Sequence, residues 1–345
     1  MTKVAVIGAG SWGTALAMVL ADNEHEVRLW ARRSEQIEEI NKHHTNSKYL
    51  PNINLSERII GHNQLATALA DVEIVLLVVP TKAIRETVKE MKKELKVPVT
   101  IIHASKGIEP GTHNRISEMI EEEFCGSEIL RNVVALSGPS HAEEVSLRQP
   151  TTVTVSSNSH DASELAQDLF INQHFRVYTN PDLVGVEIGG ALKNSIALVC
   201  GLTNGLGMGD NTKAAIMTRG LAEIARIGVK LGANPLTFAG LSGLGDLIVT
   251  CTSVHSRNFR AGYMIGKGKS LDEVLQSMGM VVEGIRTTKA AHELATKVDV
   301  DMPITSALHA VLFEGLHPKE ATERLMGRVK KHEVEQLDIS FLEGK

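Results

Sequence analysis

The sequence is poor in cysteine. Its 345 residues include three, Cys125, Cys200 and Cys251, which lie far apart and form no CxxC pair. An odd number of widely spaced cysteines favours neither a disulfide framework nor a zinc knuckle. We therefore expect a protein of a reducing, cytoplasmic compartment.

Aromatic residues and excess positive charge are also scarce. Phe, Trp and Tyr make up 3% of the chain, and 36 Lys and Arg stand against 41 Asp and Glu, for a net charge of −5. Base stacking needs aromatic platforms, and phosphate-backbone binding needs clustered basic residues. The composition therefore predicts no nucleic-acid partner.

Patterns for metal sites and membrane segments are missing as well. The 14 histidines form no HExxH motif, and His292-Glu293 has no partner at helical spacing, so we expect no metal ion. No apolar run approaches the roughly 20 residues that span a bilayer. The short apolar run after Lys3 enters a glycine turn, which is typical of a strand and not of a signal peptide.

The residues that are present predict two globular domains. Hydrophobic residues make up 43% and charged residues 22%, and at about 150 residues per domain the length fits two. The turn signal Asn180-Pro181-Asp182 divides the chain. We predict a Rossmann-like α/β domain with a mostly parallel sheet over residues 1–182. Residues 183–345, in which convincing strand patterns disappear, are predicted to be all-helical and to carry the substrate, catalytic and dimerisation functions.

The first half alternates strand, turn and helix patterns. Val72–Val79 is apolar apart from Glu73 and shows no alternation. Such a run is typical of a strand buried on both faces of a parallel sheet. We expect Thr81 to cap the following helix to Leu95. A polar loop is expected around Tyr49, Pro51 and Asn52. The other predicted strands cover 3–7, 26–30, 99–104, 133–136, 152–156 and 175–178.

A glycine motif follows the first predicted strand. Gly8, Gly10 and Gly13 form G-x-G-x-x-G between that strand and a helix. In this context the first glycine permits the tight turn, the second admits a pyrophosphate, and the third allows helix and strand to pack closely. The pattern predicts a dinucleotide site. The alternative is a tight turn that needs glycines and binds nothing.

Two arginines follow the second predicted strand. NAD-specific folds place an Asp or Glu there to hold the ribose 2′-hydroxyl, whereas this chain has Ala31, Arg32 and Arg33. Guanidinium groups bind a 2′-phosphate bidentately. We therefore predict NADP(H) as the preferred cofactor, with NAD(H) possible. The alternative is that the arginines simply open the helix that begins at Ser34.

Two further turns lie at the carboxyl ends of predicted strands. Lys106 follows the strand 99–104, and the turn 138–142 follows the strand 133–136. Ligands of open α/β sheets bind at such ends. Both turns are therefore candidates for contact with substrate or nicotinamide, although Lys106 alone is also compatible with a solvated loop lysine.

Lys193 is the most informative residue of the second half. On a helix its neighbours are Gly189, Gly190, Ile196 and Ala197, a small apolar face that leaves room for another molecule. Burial without a carboxylate partner would lower the lysine pKa and suit proton exchange near neutral pH. The alternative is a lysine whose stem reaches the surface.

A glycine-rich turn and a hydroxyl-guanidinium-amide run follow. The turn 242–247 presents Asp246, which could orient an ammonium or a substrate hydroxyl. Ser256, Arg257 and Asn258 stand at a predicted helix start, where they could bind a phosphate. The alternatives are a helix cap for Asp246 and a surface ion pair for Arg257. The pattern alone does not interpret Glu283.

These motifs together resemble the bacterial NAD(P)-dependent glycerol-3-phosphate dehydrogenases. The resemblance runs in family order through GAGSWGTALA, ASKG, SGPSHAEEV, ALKN, GLGDLIVTC, SRN and VVEGIRT. It implies reduction of dihydroxyacetone phosphate to sn-glycerol 3-phosphate, the backbone precursor of phospholipids, by a homodimer. It also implies that Lys193 is the proton donor and acceptor. The implied substrate residues are Lys106, Gly138, Ser140, Lys193, Asp246, Ser256, Arg257 and Asn258. The implied cofactor residues, with the three motif glycines, are Ser11, Trp12, Arg32, Arg33, Lys106, Ala142, Arg257, Val281 and Glu283.

Two other functions share part of this pattern. A 6-phosphogluconate or ketopantoate type of dehydrogenase has the same glycine motif and a catalytic lysine. A non-catalytic NADPH sensor has the motif but usually loses the proton-transfer group, which this chain keeps.

Overall fold

The computed structural model describes residues 1–278, 281–330 and 332–333. The chain divides into two compact units. The first contains residues 1–105 and 116–183, and the second contains residues 106–115 and the chain from Val184 onward. The segment 106–115 thus belongs to the second unit by its contacts, although elements of the first unit flank it in sequence. The assignment of separate functions to residues 1–182 and 183–345 stays a prediction.

The first unit is built on a mostly parallel sheet, as predicted. Its strands and those of a small ribbon are β1 (Lys3–Ile7), β2 (Glu26–Trp30), β3 (Thr45–Asn46), β4 (Leu50–Asn54), β5 (Ile59–His62), β6 (Ile74–Leu77), β7 (Val99–His103), β8 (Leu130–Ser137), β9 (Thr151–Ser156) and β10 (Phe175–Asn180). The order in the main sheet is β10-β9-β8-β7-β6-β1-β2-β5. Neighbouring strands are parallel except β8 and β9, which are antiparallel.

Helices cover both faces of this sheet. They are α1 (Ser11–Asp22), α2 (Ser34–His43), α3 (Leu65–Ala68), α4 (Ile84–Glu94), α5 (Ile116–Phe124), α6 (Ala142–Ser146) and α7 (His160–Phe170). Two apolar clusters fill the two interfaces between helices and sheet. Every residue of β6 is buried, as expected for a strand without alternation. Burial on both faces explains why the central strands were predictable from apolar runs alone.

Two local predictions for this unit are wrong. Thr81 does not cap a helix: it opens the 3-10 turn Thr81–Ala83, and α4 begins after it without a side-chain cap. The polar stretch around Tyr49 is not a plain loop, because β3 and β4 pair there as an antiparallel ribbon. Its polar residues lack the apolar alternation by which a strand is recognised.

The order of the strands marks the expected position of a ligand. β1 lies between β2 and β6, so the chain moves outward in one direction from β1 and then continues on its other side. In open α/β sheets, ligands bind beyond the carboxyl ends of the strands at such a reversal. The turn that follows β1 is the glycine motif.

The second unit is helical, as predicted. Its helices are α8 (Leu183–Gly205), α9 (Asp210–Lys230), α10 (Asp246–Thr252), α11 (Arg257–Gly266), α12 (Leu271–Met278), α13 (Glu283–Val298), α14 (Pro303–Phe313) and α15 (Pro318–Met326). A 3-10 turn at Pro235–Ala239 and a π-helical turn at Leu241–Gly245 precede α10. The one β-type pairing described in this unit is the bridge between Ile108 and Arg115.

Helix α8 is the core of the second unit. It has 23 residues, and an 18-residue window with a mean hydropathy of 1.5 is long and apolar enough to cross a membrane. Glu187 and Lys193 interrupt it, so no unbroken apolar run approaches 20 residues, as expected. However, 94% of its apolar window is buried inside the protein. A helix that is apolar all round is as typical of a protein core as of a membrane span.

Glycines allow α8 and α11 to pack backbone to backbone. A Cβ atom added at Gly201 would lie 2.0 Å from the carbonyl oxygen of Phe259, and one at Gly262 would lie 2.0 Å from that of Leu198. Larger residues would therefore separate the two helices. The contact fixes the position of α11 along α8.

A buried carboxylate holds the start of α14. The Glu223 side chain accepts hydrogen bonds from the backbone of Ile304 (2.5 Å) and from the backbone (3.1 Å) and hydroxyl (3.0 Å) of Thr305. Burial nevertheless raises the pKa of Glu223 to about 7 from 4.5. The folded protein therefore binds this proton more tightly than the unfolded chain, and the contribution of Glu223 to stability falls as the pH rises from 4.5 to 7.

Glu223→Gln should remove this pH dependence. Between pH 4.5 and 8, the free energy of unfolding of the variant should improve relative to the wild type by roughly 3 kcal/mol, because the amide does not titrate. Urea unfolding of both proteins at several pH values measures the difference. Parallel stability curves would show that Glu223 has the same pKa in the folded and unfolded states.

Candidate functional site

The glycine motif forms a turn that only glycine permits at two of its positions. Gly8 has a φ of +121°, and a Cβ atom there would lie 2.3 Å from the carbonyl oxygen of Val78. A Cβ atom at Gly13 would lie 1.9 Å from the carbonyl oxygen of Gly8. Gly10 differs, because no atom lies within 4 Å of the place its Cβ would take. The three glycines thus occupy the geometries predicted for turn, ligand approach and helix packing.

Helix α1 begins directly at this open space. Its N-cap is Gly10, with no side-chain cap bond, and its first residues are Ser11 and Trp12. Backbone N–H groups in the first turn of a helix lack intrahelical acceptors and attract phosphate. The residues present therefore fit the pyrophosphate of a dinucleotide.

Buried amides brace the turn from behind. The carbonyl oxygen of Ala9 accepts hydrogen bonds from Gln36 (2.6 Å) and Asn46 (3.1 Å). Asn46, which is fully buried, also donates to Thr14 Oγ1 at 2.8 Å. Sequence reasoning missed both amides. Gln36 could have been recognised as a polar residue on the buried face of a predicted helix. Nothing in the sequence marked Asn46.

The two arginines lie between β2 and α2. Arg33 donates to Gln36 Oε1 (3.1 Å) and to the Tyr49 hydroxyl (3.2 Å), and its guanidinium lies 5.6 Å from the centre of the Tyr49 ring. Ser11 Oγ donates to the carbonyl oxygen of Tyr49 at 2.9 Å. Tyr49, which the sequence placed in an uninterpreted loop, thus links Arg33 to the first turn of α1.

Arg32 is more loosely held. Its guanidinium pairs with Glu86 at 3.7 Å, and both side chains are more than half exposed. A long contact between exposed groups contributes little to stability. Arg32 and Arg33 do precede α2, which begins at Ser34, as the alternative interpretation expects. At this position the Arg32 guanidinium is accessible to an anion.

The turn after β8 carries three predicted residues. Gly138 has a φ of +135°, and a Cβ atom there would lie 2.9 Å from Val153 Cα. Ser140 Oγ donates to the carbonyl oxygen of Gly138 at 3.0 Å, and Ala142 is buried at the first position of α6. The turn lies at the same edge of the sheet as the glycine motif, because β8 and β1 run in the same direction.

Two lysines share one carboxylate in the second unit. Lys193, on α8, donates to Asp246 Oδ1 and, at 2.6 Å, to Thr250 Oγ1. Lys106 donates to Asp246 Oδ2 at 2.6 Å. Thr250 Oγ1 in turn donates to the carbonyl oxygen of Asp246 at 2.6 Å. The structure thus brings together three predicted site residues, and it adds Thr250 as a fourth.

The environment of Lys193 lowers its pKa. Lys193 is 6% exposed, so the alternative of a side chain that reaches the surface is wrong. Burial lowers the Lys193 pKa from 10.5 to about 8, against the opposing effect of Asp246, and the charge of Lys106 lowers it further. The expected direction is confirmed, whereas the expected absence of a carboxylate partner is wrong. A lysine with this pKa exchanges a proton near neutral pH.

The small residues around Lys193 make room for another segment of the protein. A Cβ atom at Gly189 would lie 2.7 Å from the carbonyl oxygen of Ser242, so this glycine makes room for the turn that leads into α10 and not for a ligand. The turn is π-helical, and π-helical turns are frequent at functional sites. Close approach at Gly189 places Asp246, the first residue of α10, against Lys193.

The third group of predicted residues lies at two helix starts. Ser256 caps α11, as its hydroxyl accepts from the backbone of Phe259. Asn258 is buried, donates to Asn194 Oδ1 at 2.9 Å and accepts from the backbone of Gly284 at 2.9 Å. Asn258 therefore ties α11 both to the residue after Lys193 and to the start of α13.

Three cofactor candidates, Arg257, Val281 and Glu283, lie next to Asn258 or Gly284 in the sequence or close to them. Arg257 is exposed, and its guanidinium donates to the carbonyl oxygen of Val281 at 3.4 Å. Glu283 is the first residue of α13. The structure thus brings Arg257 to Val281, which lies 24 residues further along the chain and two residues before Glu283.

Two further features that bear on this part of the protein are the thiol next to Thr250 and the arrangement of possible metal ligands. Cys251 follows Thr250, but a hydrogen bond with Cys200 and burial raise the pKa of the Cys251 thiol, which disfavours a nucleophilic thiolate. In the part of the chain that the structure describes, no group of three or more His, Cys, Asp or Glu side chains could hold a metal ion.

Comparison with known proteins identifies the family. Models of the N-terminus and C-terminus of NAD-dependent glycerol-3-phosphate dehydrogenase match residues 3–163 and 182–323. The chain is 71% identical to the NAD(P)+ glycerol-3-phosphate dehydrogenase of Halalkalibacterium halodurans, covering 98% of this chain and 97% of that one. It is 67% identical to that of Shouchella clausii, covering 98% and 99%.

A solved structure extends the similarity to the whole fold. The crystal structure of glycerol-3-phosphate dehydrogenase from Coxiella burnetii matches with a TM-score of 0.90 and 38% identity, over 95% of this chain and 99% of that chain. Sequence and fold agree over nearly the full length. The chain therefore belongs to the NAD(P)-dependent glycerol-3-phosphate dehydrogenase family.

Proposed function

We propose that this chain catalyses the reversible reduction of dihydroxyacetone phosphate to sn-glycerol 3-phosphate, with NADPH as the preferred reductant and NADH as a second one. The observation that carries the proposal is the buried Lys193, with a pKa of about 8, held by Asp246 beside Lys106. A ketone that gains a hydride needs a proton at its oxygen, and this amine is suited to deliver it.

The first unit supplies the residues proposed for the pyrophosphate and the 2′-phosphate of the cofactor. Gly8, Gly10 and Gly13 with Ser11 and Trp12 would hold the pyrophosphate at α1, and Arg32 and Arg33 would hold the 2′-phosphate. Lys106, Ala142, Arg257, Val281 and Glu283 complete the proposed cofactor set. When bound, the reduced nicotinamide supplies the hydride.

The second unit supplies the proton and the polarising charge. Lys193 as ammonium would donate a hydrogen bond to the ketone oxygen and then pass its proton to the developing alkoxide. Lys106 would hold the same oxygen or the adjacent hydroxyl. Asp246, whose two carboxylate oxygens each accept from one lysine, would keep both amines in place.

The phosphate of the substrate would be bound at the start of α11. Ser256, Arg257 and Asn258 would provide hydroxyl, guanidinium and amide donors, with Gly138 and Ser140 completing the substrate set. Binding energy from this non-reacting group would orient the ketone. Because Asn258 is tied to Asn194, the phosphate site and Lys193 are built on one connected framework.

The direct test is oxidation of NADPH or NADH, followed by absorbance, with dihydroxyacetone phosphate as substrate. We expect turnover with both cofactors. We expect none when ketopantoate replaces dihydroxyacetone phosphate, and none when 6-phosphogluconate is supplied with NADP+ or NAD+. Cofactor binding without turnover of any of these substrates would favour a nucleotide sensor, and preferential turnover of another substrate would replace the proposal.

Arg32→Ala should change the choice of cofactor. The variant loses a charge-assisted contact to the 2′-phosphate, so KM for NADPH should rise by roughly ten- to 100-fold, while KM for NADH stays near the wild-type value. Steady-state kinetics with each cofactor measure the ratio. Equal changes for both cofactors would mean that Arg32 does not contact the 2′-phosphate.

We further propose that the enzyme is a cytoplasmic homodimer that supplies glycerophospholipid synthesis. Exposed apolar side chains on the second unit, among them Ile248, Val254 and Leu275, support an interface there. Sedimentation equilibrium tests the dimer, and a monomer at micromolar concentration would contradict it.

A further inference from the structure

The segment 106–115, here called the Lys106 hairpin, is attached to the second unit near both ends. At its start Lys106 bonds Asp246 at 2.6 Å, and at its end Arg115 Nη1 bonds Glu187 Oε2 at 2.5 Å. Ile108 is buried in the apolar core of the unit and pairs with Arg115 through an antiparallel bridge. The position of the Lys106 backbone therefore depends on where Arg115 is fixed.

The pair of Arg115 and Glu187 is a firm attachment. The Glu187 side chain is 3% exposed and that of Arg115 is 16% exposed. Separating a buried carboxylate from its cation leaves an uncompensated charge, which is strongly unfavourable. Glu187 also lies on α8, the helix that carries Lys193, so the hairpin is anchored to the same rigid element as the amine.

A further ionic contact of the hairpin is weaker than that of Arg115 with Glu187. His113 Nε2 lies 3.3 Å from Glu293 Oε2, and the Glu293 side chain is 37% exposed. Contacts of this kind contribute little. This contact offers a matched comparison, since it also joins the hairpin to a carboxylate of the second unit.

The carboxylate that holds Lys106 is shared with a second ammonium group. The same carboxylate already bonds Lys193, so the two ammonium groups repel each other across it. A constraint on the Lys106 backbone therefore adds to the attraction of the carboxylate. The Arg115–Glu187 contact, transmitted through the bridge to Ile108, provides one.

We propose that Arg115 and Glu187 are positioning residues for the reduction, which keep Lys106 against Asp246 and within the electrostatic reach of Lys193. The inference rests on the proposed function and on the part that Lys106 takes in it. Neither residue is among the groups that take part in the proposed reaction. Their effect on catalysis passes through the location of Lys106.

Three variants test this inference. Arg115→Met with Glu187→Leu removes both charges at similar volume, a replacement that buried ion pairs often tolerate. Glu187→Gln keeps the shape of the acceptor, and Arg115→Lys keeps the charge and loses the planar guanidinium. We expect kcat/KM for dihydroxyacetone phosphate to fall roughly ten- to 100-fold in the double variant and less in the conservative ones. Circular dichroism and urea unfolding identify the variants that are folded.

Two readouts separate positioning from a merely structural effect. Lys106→Ala should cost less activity in the double variant than in the wild type, because a displaced Lys106 has already lost its function. The charged and titratable groups that act on Lys193 are Asp246, Lys106 and Cys251. Withdrawal of the Lys106 charge should raise the Lys193 pKa, so the fall of the reduction rate at alkaline pH should move to higher pH.

Glu293→Gln is the matched control and should keep wild-type kinetics and pH profile. A folded double variant with wild-type kcat/KM, or an undiminished cost of Lys106→Ala, would overturn the inference. If the double variant does not fold, Arg115→Lys carries the same two readouts. Turnover by the wild type reports on the proposed function separately, so either proposal can fail without the other.

Discussion

Lys193→Ala should lower kcat for reduction of dihydroxyacetone phosphate by roughly 10²- to 10⁴-fold, the range for loss of a general acid. The affinity for NADPH should stay near the wild-type value, because the proposed pyrophosphate and 2′-phosphate contacts lie in the first unit. Stopped-flow kinetics and titration of nucleotide fluorescence measure the two quantities. Near-normal turnover would remove Lys193 from its role.

Lys193→Arg separates charge from proton transfer. The guanidinium keeps a positive charge but does not release its proton in the accessible pH range. If Lys193 both polarises the ketone and donates the proton, the arginine variant should remain strongly impaired. Recovery to wild-type rates would mean that positive charge alone is needed.

The pH profile of the wild type follows from the same residue. With a Lys193 pKa of about 8, kcat/KM for reduction should fall as the pH rises through 8, because reduction needs the ammonium form. In the opposite direction kcat/KM should rise through the same pH, because oxidation of the alcohol needs the neutral amine. Profiles with the same sign in both directions would contradict the assignment.

Asp246→Asn should have the second large effect. The carboxylate raises the Lys193 pKa and bonds both lysines, so its loss leaves two ammonium groups facing each other in a buried site. We expect a loss of about 3 kcal/mol or more in the free energy of unfolding. We also expect the alkaline fall of the reduction rate to move to lower pH.

Urea unfolding and the pH dependence of kcat/KM measure the two changes. Asp210→Asn is the matched control, because Asp210 is also the first residue of its helix and also pairs with a lysine, but its side chain is 98% exposed. The control should leave stability and kinetics unchanged. An unshifted profile in Asp246→Asn would show that Asp246 does not set the Lys193 pKa.

The elements that follow from periodic burial were predictable. β1 and β2 have the predicted bounds. β1 is a short apolar run, and in β2 buried apolar residues alternate with partly exposed charged ones, and both patterns are typical of strands. The ribbon of β3 and β4 was not predictable in this way. Two short strands with a polar sequence depend on their pairing partners, which lie elsewhere in the fold.

The candidate site was predicted as a set of residue types and not as a set of contacts. Lys193 and Asp246 were identified separately, on a small-residue helix face and in a glycine-rich turn. The sequence predicted that Asp246 could orient an ammonium but not that the ammonium is that of Lys193, because 53 residues separate the two. For the same reason Thr250, Gln36 and Tyr49 gained their interpretation only from their partners.

The sequence by itself determined the parallel sheet, the nucleotide turn and the helical second half, because these depend on local backbone geometry and on the spacing of apolar residues. Only the tertiary structure decided which unit holds residues 106–115 and which carboxylate faces Lys193. The physical reason is that an amine's pKa depends on desolvation and on charges within a few ångströms, and chain folding alone brings those groups together.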